Sequence, residues 1–111
     1  MKHFINIKDV PYKTLRKILS ETKKRKYLRK KLKTLEIDKD NPLKGILLIQ
    51  MFEKSSLRTR LSFYLAIRQL GGSALTLRPD ELHLSKGGES LSDTAKILST
   101  YGDIFVLRTD N

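Results

Sequence analysis

The most apolar run of the chain is residues 45–52, which read GILLIQMF. Apolar residues occupy both alternating faces of this run, as in a strand of a parallel sheet that helices cover on both sides. A polar turn at residues 53–56 follows, and residues 57–70 then show a helical pattern that ends at Gly71 and Gly72. Gly71 suits the left-handed conformation that terminates many helices. This part of the sequence predicts a strand followed directly by a helix.

Two further strands alternate with helices in the rest of the chain. Residues 73–77 (SALTL) predict a second strand, and a glycine-containing loop follows it. Residues 90–93 (SLSD) resemble a capping box with Asp in place of the usual Glu or Gln, and they open a helix that runs to about residue 100. Residues 104–107 (IFVL) predict a third strand, with Arg108 at its carboxyl end. The alternation predicts an α/β fold, a parallel sheet flanked by helices and joined by right-handed crossovers.

The first helix is expected to begin near Asp9 to Pro11, since an acidic capping residue and an early proline both favour a helix start. Its apolar stripe recurs at helical spacing and consists of Leu15, Ile18, Leu19, Leu28 and Leu32. Residues 38–42 (DKDNP) predict a loop, because the proline disfavours a helix through them.

The net charge of +11 is concentrated at the start of the chain. Residues 1–44 contain 15 Lys/Arg and 5 Asp/Glu, whereas residues 45–111 contain 8 and 7. One interpretation of the basic run at residues 23–31 is a nucleic-acid-binding surface. A solvated helix face is the favoured interpretation, because leucines recur inside the run at helical spacing and no nucleic-acid fold signature or base-stacking aromatic cluster accompanies it. Nucleic acid is therefore not the expected partner.

Composition excludes several other classes of protein. With 111 residues, the chain forms one domain at most. It contains no cysteine and only two histidines, which excludes disulfides and thiolate metal sites, and no metal is expected. The start lacks an apolar run of signal-peptide length, and residues 45–52 are too few to span a bilayer. We therefore expect a soluble cytoplasmic protein without membrane partners.

Residues 55–60 (SSLRTR) are a candidate anion site, because they lie after a predicted strand and at the start of a predicted helix. Ligands of open α/β sheets bind beyond the carboxyl ends of the strands, and helix starts attract phosphate. Ser56 and Thr59 add hydroxyl donors, and Arg58 adds a planar guanidinium that suits phosphate oxygens. The alternative is that Ser56 only caps the helix and the arginines are surface charges. Spacing alone leaves both interpretations open, and the absence of a Walker-type pattern disfavours a nucleoside triphosphate.

Two more residues are candidates on position alone. Arg108 lies at the same carboxyl edge of the predicted sheet, although it could equally be an ordinary arginine at a strand end. His83 could carry a proton or donate a hydrogen bond, although single loop histidines are usually just exposed. Lys86 and the Gly87–Gly88 pair suggest a basic loop that closes over an anion, or a plain turn.

Four stretches of the chain resemble one enzyme family. Residues 52–63 (FEKSSLRTRLSF) resemble the carbamoyl-phosphate signature of the aspartate/ornithine carbamoyltransferase superfamily, which normally reads Ser-Thr-Arg-Thr-Arg. Residues 69–72 (QLGG), 88–95 (GESLSDTA) and 106–108 (VLR) resemble further family motifs in the same order. Residues 52–54 (FEK) and the opening residues 3–7 (HFINI) look more like the ornithine branch than the aspartate branch.

The resemblance implies that residues 1–111 are the carbamoyl-phosphate-binding domain of a two-domain enzyme. This domain would be incomplete at its carboxyl end, and the amino-acid-binding second domain would be absent. Ser56, Leu57 through its backbone, Arg58 and Thr59 would bind the phosphate of carbamoyl phosphate. Arg58 and Thr59 would also polarise its carbonyl group. Arg108 would contact the same substrate.

The resemblance also indicates departures from the family pattern at Leu57 and around His83. Leu57 replaces the usual threonine, so that one hydroxyl is lost while the backbone N–H remains. His83 falls where the ornithine branch usually has Gln, on a loop that family members extend into a neighbouring subunit's site, and one extra residue lies between His83 and Glu89. His83 is accordingly retained as a substrate-binding candidate.

The implied reaction is transfer of the carbamoyl group to the amine of an amino acid. Ornithine would be the first choice of acceptor, giving citrulline and phosphate in a step of arginine biosynthesis, followed by putrescine, acylated ornithine and aspartate. Arg58, Thr59 and Arg108 would be the catalytic residues that stabilise the tetrahedral oxyanion. No metal or organic cofactor is implied, and the assembly would be a homotrimer or larger. The fragment alone is expected to be inactive, and the alternatives are a non-catalytic phosphate-binding module or a basic nucleic-acid-binding domain.

Overall fold

The computed structural model describes residues 3–52, 57–78 and 91–108. The chain forms two compact units, residues 1–33 and residues 34–111. In the described ranges, none of the helices combines the length and the apolar character needed to cross a membrane.

The first unit contains a 3-10 turn at Ile7–Asp9 and helix α1 at Tyr12–Leu28. The 3-10 turn begins at Asn6, whose side chain accepts a hydrogen bond from the backbone N–H of Lys8 at 3.2 Å. The expected capping role of Asp9 is wrong. Asp9 lies inside the 3-10 turn, and Pro11 occupies the cap position of α1 without a side-chain hydrogen bond.

Only part of the apolar stripe expected along α1 lies on the helix. The helix ends at Leu28, and Leu32 lies in the turn that follows it. No residue of α1 is buried. Arg25 and Glu21 form an ion pair at 3.1 Å on this helix, and an exposed pair of this kind contributes at most about 0.5 kcal/mol. The basic residues of the helix are thus presented on a solvated surface.

The second unit has the order of elements that the sequence predicts. It contains β1 (Leu47–Phe52), α2 (Leu57–Gln69), β2 (Ser73–Leu77), α3 (Leu91–Ser99) and β3 (Ile104–Arg108). Strand β1 begins two residues later than residues 45–52 suggest, because Gly45 has φ +80° and belongs to the preceding turn. The capping box predicted before α3 depends on Ser90, which lies outside the described residues.

The three strands form a parallel sheet in the order β2–β1–β3, which confirms the predicted α/β class. The chain moves from β1 to β2 in one direction and from β2 to β3 in the other. Right-handed crossovers therefore place α2 and α3 on opposite faces of the sheet. This arrangement explains why β1 is buried on both faces, with Leu48, Ile49 and Met51 each exposed by 3% or less.

The start of β3 is attached to the start of β1 by a pair of hydrogen bonds. The backbone N–H of Asp103 donates to the carbonyl of Leu47 at 2.9 Å, and the N–H of Leu47 donates to Oδ2 of Asp103 at 2.9 Å. Gly102 leaves room for Ile49, since a Cβ at residue 102 would lie 2.7 Å from the Cδ1 atom of that side chain. These contacts set the register in which β3 meets the central strand.

Helix α2 ends at Gln69, one residue before the predicted end, and Gly71 has the predicted role of terminator. The N–H of Gly71 donates to the carbonyl of Arg68 at 3.1 Å, and the N–H of Gly72 donates to the carbonyl of Ile67 at 2.8 Å. This pair of bonds is a Schellman motif, and Gly71 adopts the positive φ (+106°) that the motif requires. The turn directs the chain into β2 immediately afterwards.

Candidate functional site

The carboxyl ends of the three strands lie at one edge of the sheet. In the parallel register, Met51 pairs with Leu77, and Phe52 pairs with Arg108. Because β1 leads into α2 after only four residues, the start of α2 lies at this same edge. Ligands of open parallel sheets bind at such an edge.

The start of α2 carries three of the residues predicted to bind phosphate. Leu57 is the first residue of the helix and is 62% exposed, Arg58 is exposed, and Thr59 is half-buried. The N–H groups of a first helical turn have no partner within the helix and lie at the positive end of its dipole. The turn therefore offers an anion several backbone donors, the hydroxyl group of Thr59 and the guanidinium group of Arg58.

Arg108 reaches the edge from the neighbouring strand. It is the last residue of β3 and is exposed. Its partner in the register, Phe52, is the last residue of β1 before the connection to α2. Neighbouring strands are separated by about 4.8 Å, so Arg108 lies one strand away from the segment that leads to Arg58 and Thr59. The structure brings these three predicted residues to one edge.

Two predicted site residues cannot be placed in this geometry. Ser56 and His83 lie outside the described residues, as does Lys86. Their proposed contacts with a substrate stay predictions from the resemblance.

Gln50 is the most deeply buried polar residue that the structure describes, and the sequence motifs did not indicate a role for it. No part of its surface is exposed. Its Nε2 atom donates to Oγ1 of Thr76 at 2.9 Å and to the carbonyl of Arg60 at 3.5 Å. The signal was present in the sequence, since Gln50 is the one polar side chain of residues 45–52.

Arg78 is a second residue at this edge that the sequence analysis assigned only to a loop. It follows directly after β2, whose last residue, Leu77, pairs with Met51, and it is exposed. Its position after a predicted strand was the available signal, because a residue in that position meets the ends of the other strands in any parallel sheet.

Within the part of the chain that the structure describes, no group of three or more His, Cys, Asp or Glu side chains is arranged to hold a metal ion. The described part of this edge instead contains the side chains of Arg58, Thr59 and Arg108 and the start of α2. Such donors bind an anion through hydrogen bonds and charge.

Comparison with protein families gives one match, which covers almost the whole chain. Residues 2–111 match the family described as "Aspartate/ornithine carbamoyltransferase, carbamoyl-P binding domain". Among curated proteins, an ornithine carbamoyltransferase of Brucella ovis is 43% identical over 109 residues, which are 98% of this chain and 33% of that protein.

Solved structures give the same result. The anabolic ornithine carbamoyltransferase of Campylobacter jejuni superposes with a TM-score of 0.74 and 37% identity, over 100% of this chain and 33% of that one. The catalytic subunit of the M. jannaschii aspartate transcarbamoylase superposes with a TM-score of 0.80 and 37% identity, over 100% of this chain and 35% of that one. The chain spans about a third of the length of the relatives it matches.

Proposed function

Because the chain belongs to the carbamoyl-phosphate-binding domain family of the aspartate/ornithine carbamoyltransferases, we propose that it supplies the carbamoyl phosphate site of a carbamoyltransferase. The observation that carries the proposal is that Arg108 and the start of α2 lie at the same carboxyl edge of the sheet. Family membership alone does not show that this chain keeps the binding residues together. Of the predicted binding residues, those that the structure describes lie at the carboxyl edge of the sheet.

In the proposed site, the first turn of α2 binds the phosphate group. Backbone N–H groups from Leu57 onward, together with the side chains of Ser56, Arg58 and Thr59, donate hydrogen bonds to its oxygens. Arg108 contacts the same substrate from β3. His83 is proposed as a further contact by the resemblance alone.

The proposed reaction proceeds by attack of a neutral amine on the carbamoyl carbon. A nitrogen–carbon bond forms, the carbonyl oxygen acquires negative charge, and the bond from carbon to the phosphate oxygen then breaks while the nitrogen loses a proton. Arg58, Thr59 and Arg108 are the proposed donors that stabilise the oxyanion, and removal of one donor of this kind costs about 3 kcal/mol of transition-state stabilisation. The site residues act by binding and charge.

Ornithine is the proposed acceptor of the carbamoyl group. The relatives from Brucella ovis and Campylobacter jejuni are ornithine carbamoyltransferases, whereas the M. jannaschii relative is an aspartate transcarbamoylase. The chain spans about a third of the length of these relatives, and we propose that a second domain binds the acceptor. We therefore expect this chain alone to bind carbamoyl phosphate without transferring it, and assays with the second domain present distinguish citrulline from carbamoyl-aspartate as product.

A homotrimer or larger assembly is also proposed. The resemblance implies it. Light scattering on the purified protein tests the proposal, and a mass equal to that of one chain would contradict it.

Calorimetric titration of the chain with carbamoyl phosphate tests the proposed function. We expect saturable binding that is unchanged when Lys23, Lys24 and Lys26 are all replaced by glutamine, because α1 carries none of the proposed contacts. A nucleic-acid-binding domain predicts the opposite result. It would bind labelled DNA with an affinity that falls steeply with salt, and the same three substitutions would abolish that binding.

Leu57→Thr is expected to increase the affinity for carbamoyl phosphate about tenfold. The substitution restores a hydroxyl donor at the start of α2, and a hydrogen bond to a charged group is worth about 1.5 kcal/mol or more. Little packing is lost, because Leu57 is 62% exposed. Leu61→Thr makes the same chemical change one turn later, at a residue that is 48% exposed, and should leave the affinity unchanged. Equal affinities for the two variants in calorimetry would contradict the proposed contact.

A further inference from the structure

Gln50 occupies a buried position at which an apolar side chain would destabilise the fold less. It lies at the centre of the sheet, between Thr76 of β2 and Val106 of β3 in the register. Its Oε1 atom is buried and accepts no hydrogen bond from any residue that the structure describes. Burial of an unsatisfied amide oxygen destabilises a fold, whereas an apolar residue of similar volume avoids that cost. Packing alone therefore does not account for this residue.

The other half of the Gln50 amide connects three elements. Its Nε2 atom donates to the hydroxyl oxygen of Thr76 on β2 at 2.9 Å and to the carbonyl oxygen of Arg60 at 3.5 Å. Arg60 is the fourth residue of α2, so its carbonyl lies at the end of the first turn of the helix. The bond to Arg60 also spans the connection between β1 and α2, from residue 50 to residue 60. The amide thus links β1 firmly to β2 through Thr76, and it links β1 to the first turn of α2 through a long bond.

We propose that Gln50 is a positioning residue. It holds the first turn of α2 in the position, relative to β1, in which the turn binds phosphate. The inference rests on the proposed function of that turn. Charge-assisted hydrogen bonds need donor–acceptor distances of about 2.7–2.9 Å, and a displacement of about 1 Å removes much of their benefit. Because the turn also carries Arg58 and Thr59, a displacement of the turn moves its backbone N–H groups and both of these side chains together.

Gln50→Met separates positioning from stability. Methionine has nearly the volume of glutamine, and the substitution removes both the bond to Arg60 and the buried Oε1 atom. We expect the melting temperature to be equal to or higher than that of the unchanged chain. We expect the dissociation constant for inorganic phosphate, measured by titration of backbone amide NMR signals, to rise about fivefold.

Matched substitutions control for the change in the core. Leu48→Met introduces the same side chain on the same face of β1, at a residue that is 3% exposed, and should leave phosphate binding unchanged. Thr76→Val removes the hydroxyl group that Nε2 contacts and should weaken phosphate binding, whereas Thr76→Ser keeps the hydroxyl group and should not. Loss of affinity in Gln50→Met and Thr76→Val alone supports the proposal. Equal affinities in Gln50→Met and Leu48→Met overturn it.

Amide exchange separates this inference from the proposed function. The amides of residues 61–64 are the first of α2 that donate within the helix, so their exchange reports how firmly the first turn is held. If the unchanged chain binds neither phosphate nor carbamoyl phosphate, the proposed function fails. In that case, faster exchange of these amides in Gln50→Met than in Leu48→Met still supports the positioning role, and equal exchange overturns it.

Discussion

Gly71→Ala is expected to lower the free energy of unfolding by about 3 kcal/mol. Two effects add at this residue. Its φ of +106° is a conformation that costs a residue with a Cβ atom about 1–3 kcal/mol. A Cβ at residue 71 would also overlap the Oδ1 atom of Asn41, so the Asn41 side chain would have to shift. Urea denaturation followed by circular dichroism measures the loss, which is a large part of the stability of a small domain.

Gly45→Ala is the matched control for this prediction. Gly45 also has a positive φ (+80°), but a Cβ at that residue would have no atom within 4 Å. Its replacement should therefore cost only the backbone strain, about 1 kcal/mol. Adding Asn41→Gly to Gly71→Ala should recover the difference between the two variants, because it removes the side chain that collides. Equal losses for Gly71→Ala and Gly45→Ala would show that the contact with Asn41 contributes nothing.

The parts of the fold that could be predicted from the sequence are those set by local patterns. The run at residues 45–52 is apolar on both faces, and its residues 47–52 form the buried central strand of the sheet. The role of Gly71 in terminating α2 could be predicted, because it depends only on the local backbone conformation. The strand at Ser73–Leu77 agrees with its prediction at both ends.

Features that depend on long-range contacts were not predictable in the same way. The strand order β2–β1–β3 follows from which strands pair, and no local pattern records that choice. The expected helical stripe fails at Leu32, because the chain leaves the helix after Leu28 although the apolar spacing continues. The bond between Gln50 and Thr76 exists only because the register of β1 and β2 places these residues opposite each other.

The candidate site was open to two interpretations on spacing alone. A helix start with Ser56, Arg58 and Thr59 suits either an anion or a simple cap. The resemblance to a carbamoyltransferase signature favoured the anion, and the structure adds the placement of Arg108 at the same edge. Ser56 and His83 stay predictions, because they lie outside the described residues.

Arg58→Gln is expected to weaken the binding of carbamoyl phosphate about thirtyfold. Arg58 is the second residue of α2 and supplies the guanidinium group of the proposed site, and hydrogen bonds to charged groups are worth about 1.5–3 kcal/mol. Lys96→Gln makes the same change in net charge in the last turn of α3, an exposed position at the opposite edge of the sheet, and should alter the affinity less than twofold. Calorimetric titration of both variants measures the difference. A similar small loss in both would mean that the chain attracts the anion through its overall charge, and the first turn of α2 would then not be the binding site.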